Sequence, residues 1–415
     1  MTVSLPAMID AAARVGQDAE ARLVTPRLAS IVAAALAFFV GFAMLTPTLP
    51  RYIEGELKGS ELAVGIVIGA FGISAAALRP LIGTVGDRYG RRVLFMTGGA
   101  IGAVSVLGYP VLASIPVLIG LRMLTGVGEA SAFVGAATAV QDLAPDHRRA
   151  EAASYFSLAV YTGMGLGPTL GEFLADRWGF ATVCLVAGSL CLLSSVLARS
   201  VPRDLGRHPD ASLRPRRFLH PAAIRPGVLL SLSLVGFSGF TAFVALYLDD
   251  LTGGSSSAGP IFLMYAAIIL VLRLAGARLP DRLGPRRTGT VAFTTIALGL
   301  LVIASWPSVA AVYAGTAVMA VGLAFSFPSL FALMMRDVPD TERSHAIASF
   351  SFFFDLPNAL GAPLLGLVVQ LTNHRVAFAL GAICCAVGLG GLWRLTVEAP
   401  LRISHRLPTA GPHGA

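Results

Sequence analysis

The sequence is poor in charge, in lysine and in cysteine, and each shortage excludes a class of protein. Only 13% of the 415 residues are charged, whereas soluble domains carry about 25% charged residues. The four cysteines lie inside apolar runs and lack the spacing of metal ligands or of a disulfide framework. The phosphate-binding segment Gly-x-x-x-x-Gly-Lys of ATP-driven proteins is absent. We therefore expect a protein that is not a soluble domain and that holds no metal or other cofactor.

The chain has instead a series of apolar runs about 20 residues long, the length that a helix needs to cross a bilayer. The first 26 residues contain several charged side chains and no cleavage site, so they are typical of a cytoplasmic tail rather than a secretory signal. The sequence predicts an all-α integral membrane protein with twelve transmembrane helices. The predicted spans are residues 28–50, 61–83, 93–113, 116–140, 151–174, 180–198, 227–248, 259–279, 289–305, 308–334, 344–371 and 376–396.

The basic residues are distributed unevenly over the predicted loops. Most of the 31 lie on one side of the membrane, and the other side has only Arg51, Lys58, Arg177 and Arg375. Because cytoplasmic loops carry the excess of positive charge, both termini are predicted to be cytoplasmic. The same loops, facing anionic lipid headgroups, explain the net charge of +8 without any nucleic-acid partner. The preference for arginine over lysine suggests a bacterium with a GC-rich genome, and hence the plasma (inner) membrane.

A charged cluster occurs twice. The segment GTVGDRYGRR at residues 83–92 returns as ARLPDRLGPRR at residues 277–287, and Arg79 has its counterpart in Arg273. Residues 152–157 and 347–352 repeat each other at nearly the same separation. Such a duplication predicts two parallel six-helix halves with a substrate site between them at mid-membrane. The predicted organisation is a tail at 1–26, halves at 27–198 and 226–398, a cytoplasmic linker at 199–225 and a tail at 399–415.

These motifs resemble those of the major facilitator superfamily. The first cluster matches the loop 2–3 signature G-x-x-x-D-R-x-G-R-R at every defined position, and its copy is degraded by Ala277 and Pro285. RMLTGVGEA at residues 122–130 resembles the fourth-span motif R-x-x-x-G-x-G. GMGLGPTLGE at residues 163–172 resembles the fifth-span motif of exporters that work as antiporters. The resemblance covers about residues 28–398 and implies a twelve-span, proton-coupled exporter.

The duplicated cluster is the predicted gating motif. Asp87 can face the positive N-terminal end of the eleventh span near Arg343, and Asp281 can face the start of the fifth span. Two such latches would hold the cytoplasmic side shut. The alternative is that the charges only set the topology. The residues of this motif are Gly83, Asp87, Arg88, Gly90, Arg91 and Arg92, with Asp281, Arg282 and Gly284 in the copy.

The fifth span carries the antiporter-like motif Gly163, Gly167, Pro168 and Gly171. Small residues at this spacing let a neighbouring helix approach closely, and proline permits a bend. The resemblance implies that this face contacts the eleventh span across the interface between the halves. The alternative is tight packing with no role in the direction of transport.

Three acids lie inside the predicted spans, where ionisable residues are costly and usually functional. Glu172 is close to the outer end and is expected to reach water. Glu129 and Asp355 are placed near mid-membrane, so they are the candidates for proton coupling. Arg122 lies seven residues before Glu129 on the same helix face and is expected to be its partner. The alternatives are a structural ion pair between Arg122 and Glu129, and an Asp355 that bonds the backbone.

The substrate cavity is expected to be lined by Phe42, Phe237, Phe240 and Asn358. Aromatic walls with few charges suit an amphiphilic, drug-like molecule, although lipid-facing packing is an alternative. All seven histidines fall in predicted loops or tails and are expected to be solvated.

The function that we predict is proton-coupled antiport, in which small organic molecules leave the cell by alternating access. An uptake symporter for a sugar or an organic acid is the alternative, and a non-transporting membrane protein ranks below it. The expected partners are a small-molecule substrate, protons and the lipid bilayer. We expect no enzymatic activity and a monomer.

Overall fold

The computed structural model describes residues 25–111, 114–145, 148–207, 219–276, 283–336, 338 and 343–398. Within these residues the regular structure is helical, and they contain no strand. In the described part of the chain, twelve helices follow one another. They are α1 (Pro26–Gly55), α2 (Glu61–Tyr89), α3 (Arg91–Gly108), α4 (Ile115–Leu143), α5 (Arg149–Trp178), α6 (Phe180–Leu197), α7 (Pro221–Thr252), α8 (Gly259–Ala275), α9 (Pro285–Ser305), α10 (Val309–Met335), α11 (Arg343–Leu356, Pro357–Gly361 and Ala362–Leu371) and α12 (His374–Glu398).

Polar caps and glycines set the ends of these helices. The side chains of Thr25, Ser60 and Ser308 accept hydrogen bonds from the first turns of α1, α2 and α10, which satisfies backbone groups that a helix start leaves free. Gly90 and Gly284 follow the two copies of the charged cluster with φ of 96° and 80°. Residues with a side chain rarely adopt this region, so the turn explains why both copies keep this glycine.

The number of membrane spans is supported only in part. Nine of the described helices are long and apolar enough to cross a bilayer, and α8 is apolar but has 17 residues. Helices α3 and α5 are the remaining two: α3 begins with two arginines, and α5 is rich in glycine and polar residues. The multi-pass membrane architecture is therefore clear, whereas the count of twelve spans stays a prediction.

We call α1–α6 the first half and α7–α12 the second half. One large apolar core consists of second-half residues almost alone, and another lies within the first half. The halves meet where α2 packs on α11 and where α5 packs on α8. We call the side of the α2–α3 turn the inner side and the opposite one the outer side. Helix α7 begins at Pro221, capped by His220, so it starts inside the segment predicted as linker. The domain boundaries themselves stay a prediction.

The fifth-span glycines do not contact the eleventh span as predicted. A side chain at Gly163 would meet Phe39, one at Gly167 would meet Ala43, and Gly171 faces the backbone of α1. The motif therefore holds α5 against α1 inside the first half. A parallel duplication explains this result, because it brings α2 to α11 and α5 to α8 and leaves α5 and α11 apart.

Candidate functional site

A buried cluster of three charges lies between the halves. Arg79 of α2 donates to Glu129 of α4 with Nη2 3.1 Å from Oε2. Its Nε lies 2.5 Å from Oδ2 of Asp355 in α11, and its Nη2 lies 3.1 Å from Oδ1. The three side chains are each less than one-tenth exposed. Since Arg79 and Glu129 belong to the first half and Asp355 to the second, the cluster joins the two halves by charge.

Local structure explains how α11 presents Asp355. Two residues after Asp355, Pro357–Gly361 form a π-helical turn, a distortion that is frequent at functional sites. Pro357 has no N–H for a regular helical hydrogen bond. The guanidinium of Arg79 also lies 5.3 Å from the ring centroid of Phe133 in α4, which adds a cation–π contact.

Arg122 is not the partner of Glu129, and that expectation is wrong. Its guanidinium lies over the ring of Phe71, 5.1 Å from the centroid, and among the described residues no carboxylate forms an ion pair with it. Seven residues are two helical turns, about 10 Å along the axis, so Glu129 finds a nearer cation on α2. Arg79 was visible in the sequence as one member of the repeated cluster, but only packing reveals its partners.

A cavity of about 130 Å³ lies between the halves and contains Arg122. The predicted cavity residues Phe42, Phe237 and Asn358 line it, whereas Phe240 packs into the core against Phe262 with ring centroids 5.9 Å apart. Drug-sized pockets measure about 300–1,000 Å³. A substrate of that size therefore requires the halves to move apart from the arrangement described here.

The cavity has aromatic walls and few polar groups. Phe42 and Phe71 form the first-half wall with ring centroids 5.2 Å apart, and Phe237 stacks on Tyr265 at 5.2 Å on the opposite wall. Arg122, Thr241 and Asn358 supply the main polar side chains. This lining can take an aromatic or aliphatic group together with an anionic or hydrogen-bond-accepting group.

The outer side holds a second cluster of charges, built around Arg51 of α1. Its Nη1 lies 2.6 Å from Glu172 of α5, and its Nε lies 2.7 Å from Asp249 of α7. Glu172 also accepts from Ser257 Oγ and from the backbone N–H groups of Ala258, at 2.9 Å, and Gly259. Glu172 is 2% exposed, so it does not reach water as expected. It caps α8 and thereby joins the first half to the second.

His374 forms a third contact between the halves, also on the outer side. Its Nδ1 lies 3.0 Å from Asp250 of α7, and its Nε2 lies 3.6 Å from Glu61 of α2. The ring is 6% exposed. The expectation that every histidine is solvated is therefore wrong for His374, and also for His220, which is 8% exposed. The position of His374 at the first residue of α12 gave no sign that the two acids would meet there.

The structure describes the first copy of the predicted gating motif and only part of the second copy. Asp87 accepts from Arg91 Nη1 at 2.6 Å, and Arg91 Nε donates to Asp142 of α4 at 3.1 Å. Arg88 is exposed beside Tyr89, and Gly83 has open space around it. Arg92 lies in the first turn of α3. Asp281, Arg282 and the side chain of Arg343 lie outside the described residues, so the latch between Asp87 and α11 stays a prediction.

A bundle of apolar helices in two halves, with a cavity and buried charges between them, defines a multi-pass membrane protein built to carry solutes. The sequence model of the Major Facilitator Superfamily matches residues 31–362 and 228–410. The chain belongs to this superfamily, which confirms the resemblance, and its function is membrane transport.

Known proteins support this assignment over nearly the whole chain. An uncharacterized MFS-type transporter of Salmonella typhimurium is 30% identical over 82% of this chain and 89% of its own length. The structure of the human organic anion transporter MFSD10 superposes with a TM-score of 0.68 at 19% identity, covering 89% of this chain and 100% of that one. A bacterial homologue of the lysosomal transporter Spinster, solved inward-facing, gives 0.74 at 16% identity, over 89% and 96%. These two structures are similar in fold.

Proposed function

We propose that this transporter is a proton-coupled antiporter that exports small organic molecules. The observation that carries the proposal is the buried cluster of Arg79, Glu129 and Asp355 at the interface between the halves. One guanidinium between two carboxylates has a formal charge of −1. A fixed net charge inside a membrane is unfavourable, and one bound proton brings the cluster to neutrality.

Alternating access would link that proton to the movement of the halves. Asp355 is the only member of the cluster that the second half contributes. When the halves rock, Asp355 leaves Arg79 or returns to it, while Glu129 stays in the same half as the arginine. A ligand shifts a conformational equilibrium only by binding one state better than the other. A proton on Asp355 meets this condition, since it weakens the bond to Arg79 in one arrangement alone.

The central cavity supports an amphiphilic substrate. Its two aromatic walls provide apolar area. Arg122 faces it without a carboxylate partner among the described residues, and its buried Nε has no acceptor. We infer that the substrate combines an aromatic or aliphatic body with an anionic or strongly accepting group. The organic anion transporter that superposes on this chain is consistent with that class.

Uptake of an organic acid by symport with protons is the second candidate. The same arginine favours it, because a guanidinium binds a carboxylate through two parallel hydrogen bonds. The residues that exchange the proton would be the same in both candidates. The two differ in the direction in which a proton gradient moves the substrate.

Proteoliposomes distinguish antiport from symport without knowledge of how the protein is oriented. An antiporter accumulates an organic anion of fixed charge, such as an aryl sulfonate, in an acidic lumen, whereas a symporter accumulates it in an alkaline lumen. Liposomes without protein correct for passive entry. Substrate accumulation that does not depend on the sign or size of the pH gradient would refute proton coupling.

Neutral variants then test the cluster itself. Glu129→Gln and Asp355→Asn keep size and polarity but cannot titrate. Each should still exchange labelled substrate down its own gradient and should lose uphill accumulation, with the larger loss in Asp355→Asn. Glu56→Gln, at an exposed carboxylate that follows α1, is the matched control and should accumulate like the wild type. If both cluster variants accumulated substrate like the wild type, the assignment of the proton site to Glu129 and Asp355 would be wrong.

A further inference from the structure

Arg273 occupies the position in the second half that Arg79 occupies in the first, but its surroundings differ. Arg79 lies between two carboxylates. Arg273 of α8 lies over the ring of Tyr161 in α5, 4.7 Å from the centroid. Among the described residues it forms no ion pair, and its buried Nε has no hydrogen-bond acceptor. The second half therefore has the arginine of the repeat without the two acids.

The positions equivalent to the two acids hold uncharged residues. At the repeat offsets of 194 and 195 residues, residues 323 and 324 of α10, a leucine and an alanine, correspond to Glu129. Residues 160 and 161 of α5, a valine and a tyrosine, correspond to Asp355. A cation inside a membrane protein is usually paired, because an uncompensated charge there is costly. Stacking on Tyr161 offsets part of this cost but leaves the N–H groups of the guanidinium without an anion.

The place of the missing acids is taken by a cavity of about 220 Å³ between α5, α8 and α10. The polar side chains that line it are Arg273, Tyr161, Ser154 and Ser157. Leu158 and Leu274 form part of its rim and are 38% and 62% exposed. These exposed apolar side chains lie beside the guanidinium, so the cavity combines a cationic interior with an apolar entrance.

We propose that this cavity binds the anionic head of an amphiphile, with the head on Arg273 and the apolar part along Leu158 and Leu274. A guanidinium holds a phosphate, sulfate or carboxylate group through two charge-assisted hydrogen bonds. The hydroxyl of Ser157 can donate a third. Because α5 belongs to the first half and α8 and α10 to the second, a bound anion also joins the halves at this point.

The anionic head has two sources, an acidic phospholipid of the bilayer or an organic anion dissolved in the cell. Two probes separate them. Purified protein in neutral detergent is titrated with phosphatidylglycerol and, separately, with dodecanoate, while the melting temperature is followed. Phosphatidylcholine and dodecanol are the uncharged counterparts. A ligand that binds only the folded protein raises the melting temperature with its concentration.

Arg273→Gln should weaken binding of the effective probe by at least about tenfold, as expected when a hydrogen-bonded charge is removed. Ser157→Phe keeps the charge but fills the cavity, so it should weaken binding as well. Arg286→Gln is the matched control, since Arg286 also stacks on an aromatic ring, Trp393, but is exposed. It should bind like the wild type.

The outcomes assign the source or overturn the proposal. A response to phosphatidylglycerol alone identifies a lipid, and a response to dodecanoate alone identifies a soluble organic anion. If each probe bound the wild type, Arg273→Gln and Ser157→Phe with the same affinity, the site would be refuted. Should Arg273→Gln fail to fold, the comparison of Ser157→Phe with Arg286→Gln decides the question. Because binding is measured without transport, the result is independent of proton coupling.

Discussion

Among the described residues, charges join the two halves in two regions, on the outer side and in the buried middle, and these regions are built differently. On the outer side, Arg51 and His374 each bridge a carboxylate of the first half and one of the second. Asp249 and Asp250 remain partly exposed there. In the middle, Arg79 alone serves two buried carboxylates. Water can therefore replace the bonds to Asp249 and Asp250 as the outer side opens, whereas the middle cluster cannot lose a charge without a proton or another partner.

The difference in exposure matters because alternating access must break both the outer contacts and the contacts of the middle cluster. Exposed ion pairs contribute about 0–1 kcal/mol each, because water competes for the same groups. Removal of one partner from a buried pair costs about 3–5 kcal/mol, because a charge is left without compensation. The outer contacts are thus suited to open and close reversibly. The middle cluster is suited to respond to a proton.

The largest expected effect is the difference in stability between two single variants, Arg79→Gln in the middle cluster and Arg51→Gln on the outer side. Arg79→Gln leaves Glu129 and Asp355 buried without a cation and should lower the free energy of unfolding by about 3–5 kcal/mol at neutral pH. Arg51→Gln should cost only about 1–2 kcal/mol, because Asp249 is partly exposed to water and the buried Glu172 keeps three donors from residues 257–259. Thermal unfolding in detergent measures both variants. Equal losses of stability would show that burial does not separate the two regions.

A smaller effect is expected from Glu172→Gln, which weakens the outer contact without touching the middle. The amide accepts hydrogen bonds less strongly than the carboxylate and loses the attraction to Arg51 and to the N-terminus of α8, about 1–2 kcal/mol together. The outer side should open more often. Labelling of Thr46→Cys, which lines the central cavity, by a membrane-impermeant maleimide should then rise several-fold.

Glu56→Gln in the same Thr46→Cys background is the control for this labelling experiment. It removes an exposed carboxylate near the end of α1 and should leave the labelling rate unchanged. Unchanged labelling in Glu172→Gln would mean that the cap on α8 does not hold the outer side closed.

The smallest effect is expected from His374→Asn. Asp250 is two-thirds exposed, so the lost contact should cost less than about 1 kcal/mol. The labelling rate at Thr46→Cys should rise less than in Glu172→Gln. A double variant with Glu172→Gln should show additive changes if the two outer contacts act independently. A larger rise from His374→Asn alone would reverse the ranking of the outer contacts.

Several features of the site followed from the sequence because they depend on one segment or on the duplication. Apolar runs predicted helices, and the repeated cluster predicted the turn that Gly90 and Gly284 form. The depth of Glu129 and Asp355 along their helices singled them out as buried acids, and both are buried. Arg79 and Arg273 were visible as members of the repeat. The sequence did not show that Arg79 is paired with two carboxylates whereas Arg273 faces a cavity.

The sequence by itself determined that this protein is a helical membrane protein with duplicated motifs of the Major Facilitator Superfamily, because hydropathy and spacing are local properties of the chain. Only the tertiary structure decided which charges meet. Arg122 shares a helix face with Glu129 but stacks on Phe71, while Arg79 reaches Glu129 from α2. Contacts between helices depend on rotation and on which neighbours the two halves bring together. A buried charge pairs with the opposite charge that lies nearest in space, and closeness in the sequence does not determine which residue that is.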